Sequence, residues 1–560
     1  MVSRLKHTLI LTGAVTLFFA YAWFPLATAG FYNAPDELAA AYFAQRISLF
    51  GGDNDQPAAY ADELGGLVHP RSTIVAGGEL VPGMWLGLPW VLGFVKMMTR
   101  LPIHVVVLVV PLLSVLAVLA WQKIVAKLFH DPRIGWFAAL ALAMHPGWWY
   151  FTSRGLHPNA LFVSLLIFGA FFWYVASAYR PPQRAHLWRQ LMIVLGGLSF
   201  GFAIFTRTNE LIWIAPLLLS VAWRCRRKPV ADHVLAIVGV AVPIVFMLLL
   251  NASLYGHPLR TGYTVASDPI PVETSLCPEV FSADGCPAPT GFENKFLAAL
   301  FPFGLHEMNI FRNVLDFHVA FFVLWSAFAV FGLIALVVRW PSLPMDMRRG
   351  LRRALVVSAL ISAYLFSVYG SWNIHDNPDP NAVTIGTSYI RYWLPISVAM
   401  TASAGALLVW GVGEKKSKRS RAIILGVWVA AFVVGGTTAM FGEDEGLVYA
   451  RQAIVESRTQ REWVLERTQA NDLIIVDRSD KFLFPDRNVV YPLRSKTTYA
   501  ALPLMVNATG KQNAAVYYFG VTLPDTDLEH LRQTRLAPNG LAVEVVGTID
   551  ILTLYRISQP

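Results

Sequence analysis

Directly after the first apolar stretch of the chain comes Phe31-Tyr32-Asn33-Ala34-Pro35-Asp36-Glu37-Leu38, and a helix-like run, 39–49, follows it. Pro35 with two acids in the first turn is an ordinary helix start. A carboxylate held at the edge of an apolar segment can also take a proton from a hydroxyl nucleophile, which makes Asp36 and Glu37 the candidate catalytic acids. Basic groups at the ends of other apolar stretches supply a complement. Arg154, His157 and Asn159 lie in Ser153-Arg154-Gly155-Leu156-His157-Pro158-Asn159, Arg207 in Thr206-Arg207-Thr208-Asn209-Glu210, and Arg391 with Tyr392 in Ser388-Tyr389-Ile390-Arg391-Tyr392-Trp393. A guanidinium fork matches phosphate oxygens bidentately, so Arg154, Arg207 and Arg391 could bind a phosphate carried on a lipid. A single arginine at a membrane edge more often snorkels to headgroups or pairs with an acid, and Arg207 with Glu210 has the spacing of such a pair.

The elements that must position these groups are membrane spans. Apolar residues make up 55% of the 560 and charged residues 14%, against about 25% charged in soluble domains. The mean hydropathy is +0.49. A polytopic α-helical membrane protein is expected, with about 11 transmembrane helices near 8–29, 101–121, 134–152, 157–178, 190–206, 210–223, 231–252, 314–338, 353–370, 392–411 and 421–441. The apolar stretch 79–98 carries Pro82, Pro89, Glu79 and Lys96, and reads as a helix lying in the membrane plane.

Charge decides the sidedness. With the N-terminus inside and 79–98 not crossing, the inner segments hold 22 basic residues against four acids. Were 79–98 to cross, most of those cations would face outward, against the positive-inside rule. Under this topology the total of +9 (45 basic, 36 acidic) reflects orientation and does not point to nucleic acid. The N-terminal segment resembles a signal sequence, but its apolar run is long enough to remain as a first span. The resulting division is a catalytic transmembrane part, 1–441, with outer loops 30–100 and 253–313, and a small soluble α/β domain outside the membrane, 442–560. Strands are expected near 473–476, 514–519, 541–546 and 551–555, after an amphipathic helix at about 445–468.

Cys277 and Cys286, in the second outer loop, could pair in an oxidising compartment or remain free thiols, and Cys225 stands among inner arginines. No Cys/His spacing suggests zinc and no Walker pattern is present. Glu79, or His306 with Glu307, could ligate a divalent ion. The charged run Asp477-Arg478-Ser479-Asp480-Lys481 reads as a solvated turn.

With Asp36-Glu37 after the first span, the segment 79–98 before the second and an Arg-Tyr-Trp-Leu-Pro entry to a late span, the chain resembles the GT-C membrane glycosyltransferases. More narrowly it looks like the bacterial branch of protein O-mannosyltransferases and aminoarabinose transferases. The resemblance implies Asp36 as catalytic base, Arg391 near a donor phosphate, and His69 and Arg71, in His69-Pro70-Arg71, as substrate-binding residues. That segment lacks the second proline of the family pattern. The run Tyr255-Gly256-His257-Pro258-Leu259-Arg260-Thr261-Gly262-Tyr263 is also similar to a segment of bacterial members and brings in Tyr263. The Trp-Trp-Asp signature of oligosaccharyltransferases is absent, since Trp148-Trp149 is followed by Tyr150.

The expected reaction is inverting transfer of a sugar from a polyprenyl-phosphate donor to a hydroxyl of a glycan, lipid or protein, at the outer face of the cell membrane and with no required cofactor. Two other readings stay open: a ligase or polymerase using a diphosphate-linked donor, and a lipid or solute transporter.

Overall fold

The computed structural model describes residues 2–47, 57–178, 186–225, 229–266, 295–374, 382–412, 417–442 and 445–560. Among them, nine helices are long and apolar enough to cross a membrane, from His7–Thr28 to Lys418–Phe441. Their outward faces are aliphatic. Ile237, Val242 and Val245 on one helix and Val330, Val337 and Val338 on another are exposed, which suits contact with acyl chains and not with water.

Two of the expected spans take shorter forms. The stretch 134–152 divides into Pro132–Ala143 and Pro146–Arg154. Pro146 disfavours helical geometry at the residue before it, and His145 is extended with φ −67° and ψ 123°. The stretch 210–223 is a 15-residue helix, Leu211–Cys225, with Pro216 inside it, about 22 Å long at 1.5 Å per residue. That falls short of a hydrocarbon core of about 30 Å.

Contacts group the chain into two compact units. The first holds Met1–Ala27, Val107–Met247 and Pro287–Tyr449. It is a helical body in which glycine lets backbones meet: a Cβ on Gly332 would lie 2.2 Å from the Ser403 carbonyl oxygen, and one on Gly405 would lie 2.7 Å from the Ala138 nitrogen. Val125, Ile134, Ala138, Leu336, Leu351 and Ala406 bury one another in its core.

The second unit gathers Thr28–Val106, Leu248–Cys286 (described as far as residue 266) and Ala450–Pro560. The described residues of the loop 30–100 thus group with the C-terminal residues and not with the helices that flank the loop. In the loop, β1 (Thr73–Ala76) and β2 (Glu79–Pro82) form an antiparallel hairpin across Gly77-Gly78. The in-plane helix expected over 79–98 is therefore corrected. Residues 79–82 are strand, and the helix runs Gly87–Thr99. The two glycines have φ of +62° and +84°, the left-handed geometry of a tight hairpin turn. Glu79 is part of the strand ladder opposite Ala76.

The C-terminal part is an α/β layer. Its strands are β3 (Leu473–Val476), β4 (Asn488–Val490), β5 (Val516–Val521), β6 (Ala542–Ile549) and β7 (Leu552–Ser558), in sheet order β4-β3-β5-β7-β6. β3 runs parallel to both β4 and β5, whereas β7 is antiparallel to β5 and β6. Side chains alternate across a strand, so β3 serves two cores. Leu473 and Ile475 pack with Met505 and Tyr518 on one side, and Ile474 and Val476 with Phe482 and Phe519 on the other. The first of these cores also takes Tyr60, Leu64, Leu67 and Val68 of the outer loop, and the Tyr60 hydroxyl donates to the Asn471 carbonyl at 2.8 Å. Those four side chains give the loop an apolar attachment to the C-terminal layer.

Candidate active site

In the second unit, the Pro35–Arg46 helix begins on an Ala34 that has no side-chain oxygen to cap it. Glu37 does the capping: its Oε2 accepts the backbone N–H groups of Asn33 and Ala34, at 3.3 and 3.2 Å. Glu37 is buried at the helix start. Asp36, one position earlier, is half-buried, and its Oδ1 accepts the Ser72 hydroxyl at 2.5 Å.

Ser72 itself is in left-handed backbone geometry, φ +61°, which costs a non-glycine residue about 1–2 kcal/mol. Its neighbours hold it there. The Ser72 carbonyl accepts the Gly83 N–H at 3.0 Å, and the Arg71 N–H donates to Asp480 Oδ2 at 2.9 Å. The Arg71 side chain adds Nε and Nη2 contacts to Asp480 Oδ1 at 3.1 and 2.7 Å, and its guanidinium lies 4.7 Å from the Tyr491 ring centre. The Asp480 side chain is 0% exposed. The run 477–481 is therefore not the solvated turn its charge density suggests. Its central acid is buried against Arg71, whose fork is engaged in this pair. Lys481 reaches the segment just before the Asp36 helix, donating to Asn33 Oδ1 at 3.0 Å.

His69 is half-buried and its Nδ1 lies 2.9 Å from the Pro70 carbonyl oxygen. Desolvation lowers its pKa, outweighing Pro70 and Asp480, which act in the opposite direction. Tyr263, on a short helix over 262–266, packs against Trp85 with ring centres 5.0 Å apart. The Tyr255 hydroxyl donates to the Pro82 carbonyl at 2.7 Å. A Cβ on Gly83 would sit 3.0 Å from the Ser72 carbonyl carbon. Gly83→Ala is accordingly expected to displace Ser72 and lower activity several-fold with little change in melting temperature. Paired kinetic and melting measurements on the purified variant check this.

In the first unit, the three arginines foreseen as a cluster come together. The Pro146–Arg154 helix ends at Gly155, φ +65°, and the chain returns through His157 into the Pro158–Ala178 helix. Arg391 Nη1 lies 2.9 Å from His157 Nδ1, and its Nη2 donates to the Ser388 hydroxyl at 2.6 Å. Asn159 Nδ2 donates to the Arg391 carbonyl at 3.0 Å. Arg154 Nη1 donates to the Tyr150 hydroxyl at 3.0 Å. A guanidinium can only donate, so His157 Nδ1 is the acceptor of the Arg391 contact.

Tyr392 links this group to Arg207. Its ring centre is 5.3 Å from the Arg391 guanidinium and 4.6 Å from that of Arg207. Arg207 forms the pair its spacing suggested: Nε and Nη2 donate to Glu210 Oε1 at 2.9 and 2.6 Å. Tyr369 donates to the same oxygen at 2.5 Å and Trp213 to Oε2. The Arg207 fork is held by the Glu210 carboxylate. An added anion at Arg207 would have to compete with Glu210.

His306 precedes the helix Glu307–Val314 without a side-chain capping bond, and no group of three or more metal-ligating side chains occurs among the described residues. Cys277 and Cys286 lie outside the described residues. Sequence reasoning missed Ser72, Asp480, Ser388 and Tyr369. Ser72, Asp480 and Tyr369 meet partners distant along the chain, whereas Ser388 meets Arg391 three positions on, in the same short helix.

No family model matches the sequence, and comparison with curated proteins returns no match. Solved structures are similar in fold. The chain aligns with ArnT from Cupriavidus metallidurans bound to undecaprenyl phosphate at TM-score 0.52 and 13% identity, over 98% of each chain. For the apo state of the same protein the TM-score is again 0.52, with 14% identity over 99% of this chain and 98% of that one. An apo oligosaccharyltransferase from Archaeoglobus fulgidus aligns at 0.52 and 10% identity, over 91% of this chain and 69% of that one. Nine apolar helices among the described residues, the loop that carries Asp36 and a C-terminal sheet give this chain the GT-C fold seen in those solved structures.

Proposed function

We propose that the protein is an inverting glycosyltransferase that moves a sugar from a polyprenyl-monophosphate donor to a hydroxyl acceptor at the outer face of the cell membrane. The observation that carries this reading is the pair of prepared groups: a half-buried Asp36 carboxylate anchored by Ser72, and Arg391 on His157 with Arg154 nearby. ArnT, similar in fold, binds undecaprenyl phosphate.

In the proposed step Asp36 takes the proton of the acceptor hydroxyl as its oxygen attacks the anomeric carbon. The carbon–oxygen bond to the phosphate breaks and its electron pair leaves with the polyprenyl phosphate. The guanidiniums of Arg154 and Arg391 neutralise the charge gathering on that phosphate, so no general acid is needed for departure. Proton removal, charge neutralisation and alignment are all the chemistry requires, and no step calls for a metal. The charge bias of the inner segments supports a cytoplasmic N-terminus and an outer C-terminal domain.

The test is reconstitution of the full chain in liposomes with sugars linked to polyprenyl monophosphate or diphosphate, and a hydroxyl-bearing envelope extract as acceptor. Release of polyprenyl phosphate with sugar transfer is expected from the monophosphate donor. Turnover of the diphosphate donor alone would favour a ligase or polymerase. Lipid flipping without transfer would favour a transporter.

A further inference from the structure

The C-terminal layer has a feature that α/β sheets usually reserve for ligands. Ligands of such sheets bind outside the carboxyl ends of the parallel strands. Here the carboxyl end of β3 runs into residues 477–481 and that of β4 into Tyr491. The group held there is Arg71 of the chain's own outer loop, bound by Asp480 and stacked at Tyr491. We propose that Asp480 and Lys481 are positioning residues for the Asp36 carboxylate, acting through Arg71–Ser72 and through Asn33, just before the Asp36 helix. This rests on the reading of Asp36 as the base for the acceptor hydroxyl.

Three observations converge on it. Asp480 grips Arg71 through the backbone N–H as well as the guanidinium, so it fixes the main chain at the residue before Ser72 and not just a side chain. Ser72 is thereby kept in left-handed geometry, from which its hydroxyl meets Asp36 Oδ1. Lys481, next in sequence, donates to Asn33 Oδ1, and the Asn33 N–H is bound by the Glu37 carboxylate at the start of the Asp36 helix. Two adjacent residues of one turn therefore lead to one carboxylate, through Ser72 and through the segment just before its helix. A contact serving only to attach the loop could end anywhere on it, and the apolar attachment at Tyr60, Leu64, Leu67 and Val68 already does that work.

The experiment compares wild type, Asp480→Asn, Ser72→Ala, the double variant, Lys481→Ala and Asp36→Asn in the transfer assay, with melting temperatures of the purified full chain. Asp480→Asn and Ser72→Ala are each expected to lower kcat by about 10- to 100-fold, with KM for donor and acceptor nearly unchanged. In the Ser72→Ala background, Asp480→Asn should cost less than about threefold more, because both act through one contact. Lys481→Ala should lower kcat by a smaller factor. A folded Asp480→Asn protein with full kcat, a raised KM alone, or fully multiplicative losses in the double variant would overturn the proposal. If Asp480→Asn does not fold, Ser72→Ala and Lys481→Ala decide, and unaltered kcat in both overturns it. Undiminished turnover in Asp36→Asn would remove the base itself and the proposal with it. An inactive Asp36→Asn beside fully active Ser72 and Asp480 variants would remove the positioning alone.

Discussion

Asp36→Asn is expected to lower the rate of sugar transfer by about 10²- to 10⁴-fold, the usual contribution of a positioned general base. The substitution keeps the shape of the side chain, and the amide oxygen can still accept the Ser72 hydroxyl that now lies 2.5 Å from Oδ1. What it loses is basicity. The phosphate clamp assigned to Arg154 and Arg391 is untouched, so donor binding should change little and the loss should appear in kcat. Single-turnover transfer with preloaded donor, together with a donor-binding titration, checks both halves. A folded Asp36→Asn protein with wild-type turnover would take Asp36 out of the mechanism.

Glu210→Ala should produce the largest loss of stability. The carboxylate accepts from Arg207, Tyr369 and Trp213, and the Arg207 and Glu210 side chains are only 6% and 4% exposed. Removing the acid leaves a buried guanidinium uncompensated, which costs about 3–5 kcal/mol. Glu210→Gln, which keeps an acceptor, should lose less. Replacing both members with leucine should recover most of the stability, because the desolvated charge goes with its partner. Unfolding midpoints in detergent for the three variants check the order. Activity measured on the double-leucine variant also tests Arg207 as a donor-phosphate ligand: substantial transfer there would leave the clamp to Arg154 and Arg391.

Several features were open to reading along the chain because their causes are local. A run of about twenty apolar residues reads as a span in any context, and the inner bias of arginine and lysine is a sum over short loops. Asp36 and Glu37 stand out because acids beside an apolar segment are expensive. The return from Arg154 to His157 is a short turn, and its glycine is visible. Strands β3, β5, β6 and β7 follow from short, largely apolar runs between polar turns. The three-residue β4 does not, since three residues carry too little pattern.

Other features follow from long-range contacts. The sequence shows Pro146 but cannot say that the chain breaks there, because prolines occur within spans such as Val230–Tyr255 without ending them. The stretch 79–98 has the composition of one helix, yet its first four residues pair with 73–76 because the Gly77-Gly78 turn offers them a ladder. Glu37 and Asp36 look equivalent as neighbours. The helix start separates them by pointing one at its own backbone and the other at Ser72.

Hydropathy and charge act through neighbours in the chain, and they are enough to establish a membrane protein with one acidic site and a set of basic ones at the ends of its spans. That Asp480, 409 positions from Arg71, is buried against it and leads to Asp36 comes from the fold alone. A charged turn in isolation is best solvated by water. It becomes a buried ion pair only where a distant segment brings the matching fork and excludes the solvent, and no local pattern records that partner.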